Sequence, residues 1–176
     1  LVSTEDGDRV FAGQKSGKSY GIDADTGELL WTRRVGRGGT MGGVHWGMSS
    51  DGDQLFVGVS DQPTNNRYAE GEPAPGVQAL DPESGEVRWQ YLAPDNCPTP
   101  STYLGHRGIS AAISSSPGLV YAGAMDGWFR VLNSDTGEVL WDFNTARDFS
   151  SVTGVEGRGG AIESDGPVID SGQIFL

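Results

Sequence analysis

The sequence predicts an all-β fold that is built from a repeated unit of four antiparallel strands. The unit ends in a turn glycine followed by a tryptophan, and the glycines Gly27, Gly85 and Gly137 place successive copies about 50 to 60 residues apart. No stretch of about ten or more residues shows the 3.6-residue period of an amphipathic helix. We therefore expect almost no helix.

Each copy contains three strands that the residue pattern identifies. The first is a short apolar run ending in glycine, seen as VFAG, LFVG and VYAG. The second alternates with a period of two, seen as YGIDA, VQALD and RVLNS. The third follows a turn, seen as LLW, VRW and VLW. An inner strand precedes each unit, and we predict it as VHWGMS from Val44, ISAAIS from Ile109 and AIES from Ala161.

The turn before the last strand has the same chemistry in all three copies. It opens with Asp23, Asp81 or Asn133, whose side chains can accept backbone N–H bonds within the turn. It closes with a glycine that supplies the positive φ of a bulged hairpin. The three turns hold eight of the 24 acidic residues. Much of the negative charge therefore belongs to solvated turns.

Four antiparallel strands repeated about every 50 residues are typical of the blades of a β-propeller. We predict a partial propeller over residues 1–176, with three blades at about 1–36, 42–92 and 107–145 and an incomplete one at 158–176. An insertion at residues 62–76 lengthens the second copy. The tryptophans Trp31, Trp89 and Trp141 are expected to pack between neighbouring blades. We expect the chain to be an open arc of a larger ring of about seven or eight blades.

Composition excludes several classes of function. With 12 Lys and Arg against 24 Asp and Glu, the formal net charge is −12, which disfavours a nucleic-acid partner. The sequence has no apolar run of about 18 residues, so we predict no transmembrane segment. A single cysteine, Cys97, forms neither an internal disulfide nor a Cys-based zinc site, and the sequence has no CxxCH for haem attachment.

The repeat also indicates a family. The pattern x-x-D-x-x-[ST]-G-E-x-x-W, seen as DADTGELLW, DPESGEVRW and NSDTGEVLW, resembles the repeat of pyrroloquinoline-quinone (PQQ) dehydrogenase-like propellers. Residues 42–61, 107–149 and 154–175 resemble the C-terminal half of the polyvinyl-alcohol dehydrogenase family. Members of that family are periplasmic quinohaemoproteins that oxidise alcohols.

The resemblance implies a function for the longer protein. It implies oxidation of secondary or polymeric alcohols with PQQ and Ca²⁺, a cytochrome c-type electron acceptor, and a haem c domain outside this segment. It also implies a periplasmic or secreted location and association with the remaining propeller blades. We do not expect the segment to be active by itself. The adjacent cysteine pair of methanol- and ethanol-type quinoprotein dehydrogenases is absent here.

Candidate site residues lie in the segments that lead into the inner strands. For a ligand with three carboxylates and a quinone ring, we assign Arg107 and Arg158 to the carboxylates, Trp46 to stacking on the ring and His45 to a quinone oxygen. Glu163 is the candidate catalytic base or Ca²⁺ ligand. Asp148 is a weaker candidate, and the metal ligands are not assigned.

Each candidate has a structural alternative. Trp46 does not recur, since Ser110 and Ile162 stand at about its place in the other copies, and it serves either as core filler or as a ligand platform. His45 is either a ligand or a satisfied polar residue, whereas His106 is expected to be solvated. Arg107 and Arg158 form either a paired anion site or salt bridges between blades. The alternative function is a non-enzymatic propeller scaffold or binding module, of the outer-membrane-assembly lipoprotein type.

Overall fold

The computed structural model describes residues 1–4, 6–62, 69–95 and 106–176, and these ranges contain strands and no helix. Cys97 lies outside the described residues. The first sheet contains four antiparallel strands in chain order, β1 (Val2–Thr4), β2 (Gly7–Gly13), β3 (Lys18–Asp23) and β4 (Leu29–Arg34).

The second and third sheets repeat the same order. The second contains β5 (Met48–Ser50), β6 (Leu55–Val59), β7 (Gly76–Leu80) and β8 (Val87–Leu92). The third contains β9 (Ser114–Ser116), β10 (Leu119–Gly123), β11 (Trp128–Asn133) and β12 (Val139–Asn144). The predicted all-β architecture of four-stranded antiparallel units is therefore confirmed.

Two hairpins follow the third sheet. The first pairs β13 (Asp148–Ser150) with β14 (Glu156–Arg158), where we expected only a loop. The second pairs β15 (Val168–Asp170) with β16 (Gln173–Phe175), and β15 lies beside the inner strand β9. The second hairpin therefore corresponds to the inner half of a further four-stranded unit. The exact blade boundaries and the size of the ring stay predictions.

The inner strands begin later than the sequence predicted. They start at Met48, Ser114 and Val168, whereas the residues predicted to begin them lie in segments that cross from one sheet to the next. We call residues 42–47, 107–113 and 160–167 the crossing segments. The first two contain the buried residues Val44, Ile109 and Ile113, and these apolar positions imitate the pattern of a strand.

Each crossing segment is held at the end of the second strand of the preceding sheet. The N–H groups of Val44, Ile109 and Ile162 donate to the carbonyls of Gln14, Val59 and Ala124, at 3.1, 3.0 and 3.1 Å. The same three side chains lie against the strand glycines Gly13, Gly58 and Gly123, where an added Cβ would come within 2.5, 2.9 and 2.4 Å of them. These contacts define equivalent positions in the three crossing segments.

The repeated turns have the predicted structure. Oδ1 of Asp23 accepts N–H bonds from Asp25 and Thr26, and Oδ1 of Asp81 and of Asn133 accepts the equivalent pairs. The closing glycines have φ values of 74°, 70° and 72°. The strand register shifts by one residue beside each turn, as in a bulged hairpin.

Two of the three repeat tryptophans pack between sheets, as predicted, whereas Trp141 is 49% exposed on the third sheet. Trp31 Nε1 donates to the carbonyl of Pro82 at 3.0 Å, and Trp89 Nε1 donates to the carbonyl of Ser134 at 2.7 Å. Their rings cover the turn glycines of the following sheet. The apolar core continues along both junctions, with Val57, Val59 and Leu80 in the first and Phe56, Ile109 and Leu132 in the second.

Candidate functional site

The crossing segments bring together residues from different repeats. Because Val44, Ile109 and Ile162 are equivalent, the residues that follow them, His45, Ser110 and Glu163, occupy one position in the fold. His45 Nδ1 lies 2.8 Å from the hydroxyl of Ser110. In this alignment Trp46 corresponds to Ala111 and Ser164, so the expected counterparts Ser110 and Ile162 are wrong by one and two residues.

His45 is a half-buried neutral ring with both nitrogens engaged. Its Nε2 lies 3.1 Å from the carbonyl of Gly42, and because a carbonyl only accepts, Nε2 carries the proton. Nδ1 then accepts the hydroxyl hydrogen of Ser110. Burial lowers the pKa of His45, and Lys15 contributes to the same direction. The ring orientation is therefore fixed from both sides, and the N–H reaches a ligand as a hydrogen bond shared with the carbonyl of Gly42.

Trp46 presents its indole to solvent, with 62% of the side chain exposed. It lines an open cavity of about 420 Å³ together with Phe11, Gly47 and Met48. The side chain is thus not part of the core. An exposed indole beside an apolar wall offers a flat surface on which an aromatic ring can stack.

Glu163 lies at the third crossing segment and is partly buried. It lines a cavity of about 430 Å³ with Thr145, Phe149 and Asp165. Within the described residues its carboxylate makes no hydrogen bond or ion pair. A carboxylate with free oxygens at the wall of a cavity can accept a proton from a bound ligand.

The two candidate arginines lie in different settings. Arg107 Nη1 donates to the carbonyl of Ala93 at 3.0 Å and is partly buried. Arg158 lies on β14, where its guanidinium is 3.4 Å from Asp148 and both side chains are largely exposed. Arg107 stands two residues before Ile109, whereas Arg158 stands four before Ile162. The two arginines therefore do not occupy equivalent positions, and no described contact joins them.

His106 is buried, with 5% exposed, although the sequence suggested a solvated residue. Its Nδ1 accepts the N–H of Gly108 at 3.1 Å. Burial lowers its pKa to about 4, with a contribution from the charge of His45. Its neighbour Gly108 is tied to both adjacent sheets, since the carbonyl of Gly108 accepts from Met125 and the next residue donates to Val59. These long-range contacts fix the backbone beside His106 and account for the burial of its side chain.

Two buried aspartates were not identified from the sequence. Asp61 is fully buried and accepts N–H bonds from four backbone groups. Asp126, at the same position in the third repeat, has its pKa raised by burial. Arg130, 2% exposed, lies between the rings of Trp128 and Tyr91. The shared spacing from Gly58 to Asp61 and from Gly123 to Asp126 is the signal that could have found the aspartates.

The donor set suits a flat anionic ligand better than a metal. Trp46 offers an aromatic face, Arg107 and Arg158 offer guanidinium groups, and His45 offers one N–H. In the part of the chain that the structure describes, no group of three or more His, Cys, Asp or Glu could hold a metal ion. The residue types therefore match the chemistry of PQQ, which has carboxylates and a flat ring, but the structure does not bring them together. His45 and Trp46 line one cavity, Glu163 lines another, and Arg158 is exposed on β14.

Comparison with known proteins identifies the family. The family described as outer membrane protein assembly factor BamB matches residues 1–176. A polyvinylalcohol dehydrogenase from a Pseudomonas species is 38% identical over 179 residues, covering 100% of this chain and 27% of the relative. One from Sphingopyxis sp. (strain 113P3) is 35% identical over 170 residues, covering 95% and 26%. The chain thus spans about a quarter of the length of these relatives.

A solved structure shows the same fold. BamB from Moraxella catarrhalis superposes with a TM-score of 0.63 at 19% identity, covering 97% of this chain and 44% of the other. The described residues contain no helix with the length and apolarity needed to cross a membrane. The match over the whole length, the four-stranded units and the tryptophan junctions agree, and the chain belongs to the PQQ dehydrogenase-like β-propeller repeat family that includes BamB.

Proposed function

We propose that this chain contributes part of the propeller of a PQQ-dependent alcohol oxidoreductase that acts on secondary or polymeric alcohols. The observation that carries the proposal is the exposed indole of Trp46 beside the fixed ring of His45, on a crossing segment where a second repeat supplies Ser110. The identity of 35–38% to polyvinylalcohol dehydrogenases supports this reading over one based on fold alone.

In this proposal, different residues of the chain bind the cofactor and accept the proton of the substrate. Trp46 stacks on the ring, and Arg107 and Arg158 pair with carboxylates. His45 shares its Nε2–H between the carbonyl of Gly42 and a ring oxygen, and the Glu163 carboxylate, which lines a separate cavity, takes the hydroxyl proton of the alcohol. When bound, PQQ supplies the acceptor for the hydride of the alcohol carbon. Ca²⁺, a cytochrome c-type acceptor and a haem c domain belong to the longer protein in this proposal, as does a periplasmic or secreted location.

The test uses the full-length protein that contains this chain. Purified protein without cofactor is titrated with PQQ, with and without Ca²⁺, and dye reduction is measured with secondary alcohols and polyvinyl alcohol. Trp46→Ala should weaken PQQ binding by about 2- to 12-fold, which corresponds to the usual strength of one aromatic contact. Trp46→Phe, which keeps a flat ring, is the matched control. Wild-type protein that neither binds PQQ nor reduces dye would contradict the proposal.

Glu163 has a separate test. Glu163→Gln keeps the size of the side chain but removes its ability to accept a proton. We expect kcat to fall by about 10²- to 10⁴-fold while the affinity for PQQ stays the same. Glu138→Gln, at an exposed carboxylate of the third repeated turn, is the control. Unchanged kcat in Glu163→Gln would remove this residue from the role of base.

The second candidate function is a scaffold for protein contacts. The observation in its favour is the match of the whole chain to a family described as an assembly factor. A scaffold does not require the exposed indole of Trp46 beside His45, whose two ring nitrogens are both hydrogen-bonded. Stoichiometric binding of PQQ by the full-length protein would exclude this candidate.

A further inference from the structure

Asp61 is the centre of a hydrogen-bond cluster that does not follow from the repeat. Its Oδ2 accepts the N–H groups of Arg37 and Ala74, at 2.7 and 3.0 Å. Its Oδ1 accepts the N–H groups of Gly43 and Gly38, at 2.8 and 3.3 Å. The side chain is fully buried. One carboxylate thus satisfies four backbone donors from two separate segments, which would otherwise be buried without acceptors.

The cluster is connected to the candidate site by two short paths. Gly43 donates to Asp61 and directly precedes Val44, while its own carbonyl accepts the N–H of Ser60 at 2.9 Å. Gly42, one residue earlier, accepts the Nε2–H of His45. The carboxylate therefore fixes the backbone atoms that set the ring of His45 and the start of the segment carrying Trp46.

The N–H of Gly43 depends on the Asp61 carboxylate as its acceptor. The φ of Gly43 is 69°, and a Cβ added there would come within 2.6 Å of the carbonyl of Gln14. The backbone at this point is both left-handed and tightly packed, so it depends on its hydrogen bonds for a defined conformation. Without Asp61 the N–H of Gly43 loses its acceptor while the crowding stays.

The third repeat satisfies the equivalent glycine in a different way. The N–H of Gly108, which corresponds to Gly43, is accepted there by Nδ1 of His106. Asp126, which corresponds to Asp61, accepts the N–H of Trp128, and its Oδ2 has no partner among the described residues. The fold therefore does not require an aspartate as the acceptor for this glycine.

We propose that Asp61 is a positioning residue, which holds the glycine-rich backbone at residues 37–43 so that His45 and Trp46 meet the cofactor in one fixed arrangement. The proposal rests on the proposed function, because it assigns Asp61 to the same site. It accounts for why an aspartate accepts the glycine N–H at the crossing segment with the histidine and the exposed tryptophan, whereas His106 accepts it at the next crossing segment.

The experiment compares Asp61→Asn with Asp126→Asn in the full-length protein. An asparagine keeps the shape, but its NH₂ group faces donors and cannot accept from them. Hydrogen–deuterium exchange of the backbone amides at 37–44 should become at least about tenfold faster in Asp61→Asn and stay unchanged in Asp126→Asn. The affinity for PQQ should fall about tenfold in the first variant and stay unchanged in the second.

The two measurements separate the proposals. If the wild-type protein binds no PQQ, the proposed function fails, and this proposal fails with it even where exchange at 37–44 accelerates. If PQQ binds and Asp61→Asn leaves either exchange or affinity unchanged, only the positioning role is overturned. Should Asp61→Asn not fold, Asp61→Ser, which has the residue of the first repeat at this position, is measured in the same way. Faster exchange with weaker PQQ binding supports the proposal in either variant.

Discussion

The tryptophans of this chain form two contrasting regions. At the sheet junctions, Trp31 is 8% exposed and donates its N–H to a turn of the next sheet, and Trp89 makes the equivalent bond. On the crossing segment, Trp46 is 62% exposed, and its counterparts are Ala111 and Ser164. The residue type is the same, but only the junction tryptophans recur. The recurring tryptophans therefore stabilise the fold, whereas Trp46, which does not recur, belongs to the candidate site.

Exposure by itself does not separate the two regions. Trp141 is 49% exposed, yet it has the register of Trp31 and Trp89 at the end of its turn. Its ring stacks on Phe143, with 5.8 Å between centroids and 10° between planes. Position in the repeat is therefore a better guide to the role of a tryptophan than its accessible surface.

The largest expected effect comes from breaking a junction. Trp31→Ala in the full-length protein should lower the free energy of unfolding by about 3–5 kcal/mol, because it removes a large buried ring and leaves a cavity between two sheets. Urea denaturation followed by circular dichroism measures this change. Trp46→Ala is the matched substitution in the other region, and it should change the same quantity by less than about 0.5 kcal/mol. Equal losses in the two variants would contradict the division between junction and site.

The sequence predicted the junction region well because repetition made its signals visible. Each turn and its tryptophan appear three times in a constant register, so the three copies can be compared with one another within the sequence. The inner strands were placed too early because β5, β9 and β15 are only three residues long, too short for a clear period. The first two crossing segments contain buried apolar residues, Val44, Ile109 and Ile113, which imitate a strand pattern before the true strand begins.

The site region was predicted less completely because its contacts are not local. The donors to Asp61 come from residues 37–43 and from Ala74, so the cluster cannot be predicted from a short sequence motif. His106 follows a proline-rich stretch that suggests exposure, and its burial depends on strand ends from two other parts of the chain. His45 and Trp46 could be selected as an unusual pair, whereas their supporting groups could not.

A smaller effect concerns the buried histidine of the crossing segments. The ordinary pKa of a histidine is 6.5, and burial lowers that of His106 to about 4 in the folded protein. Between these values the unfolded chain binds a proton that the folded chain does not, so the free energy of unfolding falls as the pH falls from 6.5 to 4. The expected loss is about 3 kcal/mol.

The pH dependence is tested by denaturation of the full-length protein and its His106→Asn variant between pH 7 and pH 4. Asparagine offers an oxygen that can accept the N–H of Gly108 and does not titrate in this range. The difference in unfolding free energy between the two proteins should shrink on acidification. If the unfolding free energies of the two proteins changed in parallel with pH, His106 would have the same pKa in the folded and unfolded states, and the prediction would be wrong.

The smallest expected effect on stability comes from an ion pair that is present in the second repeated turn and not in the third. Arg88 donates to Asp81 at 2.8 Å and lowers the pKa of that carboxyl to about 2, whereas the third repeat has Asn133 in the turn and Leu140 in place of the arginine. A carboxyl with a lowered pKa stabilises the fold above pH 3.8 and loses that contribution as the pH falls towards 2.

Because Asp81 and Arg88 are partly exposed, solvent weakens their attraction, and Asp81→Asn should cost about 0.5 kcal/mol at neutral pH. Asparagine keeps the oxygen that accepts the N–H groups of Glu83 and Ser84, so the turn itself stays formed. The cost should disappear between pH 4 and pH 2. Asn133→Asp, which adds a carboxylate without an arginine beside it, should give no such gain at neutral pH. A gain equal to the loss at Asp81 would show that the carboxylate acts through the turn backbone rather than through Arg88.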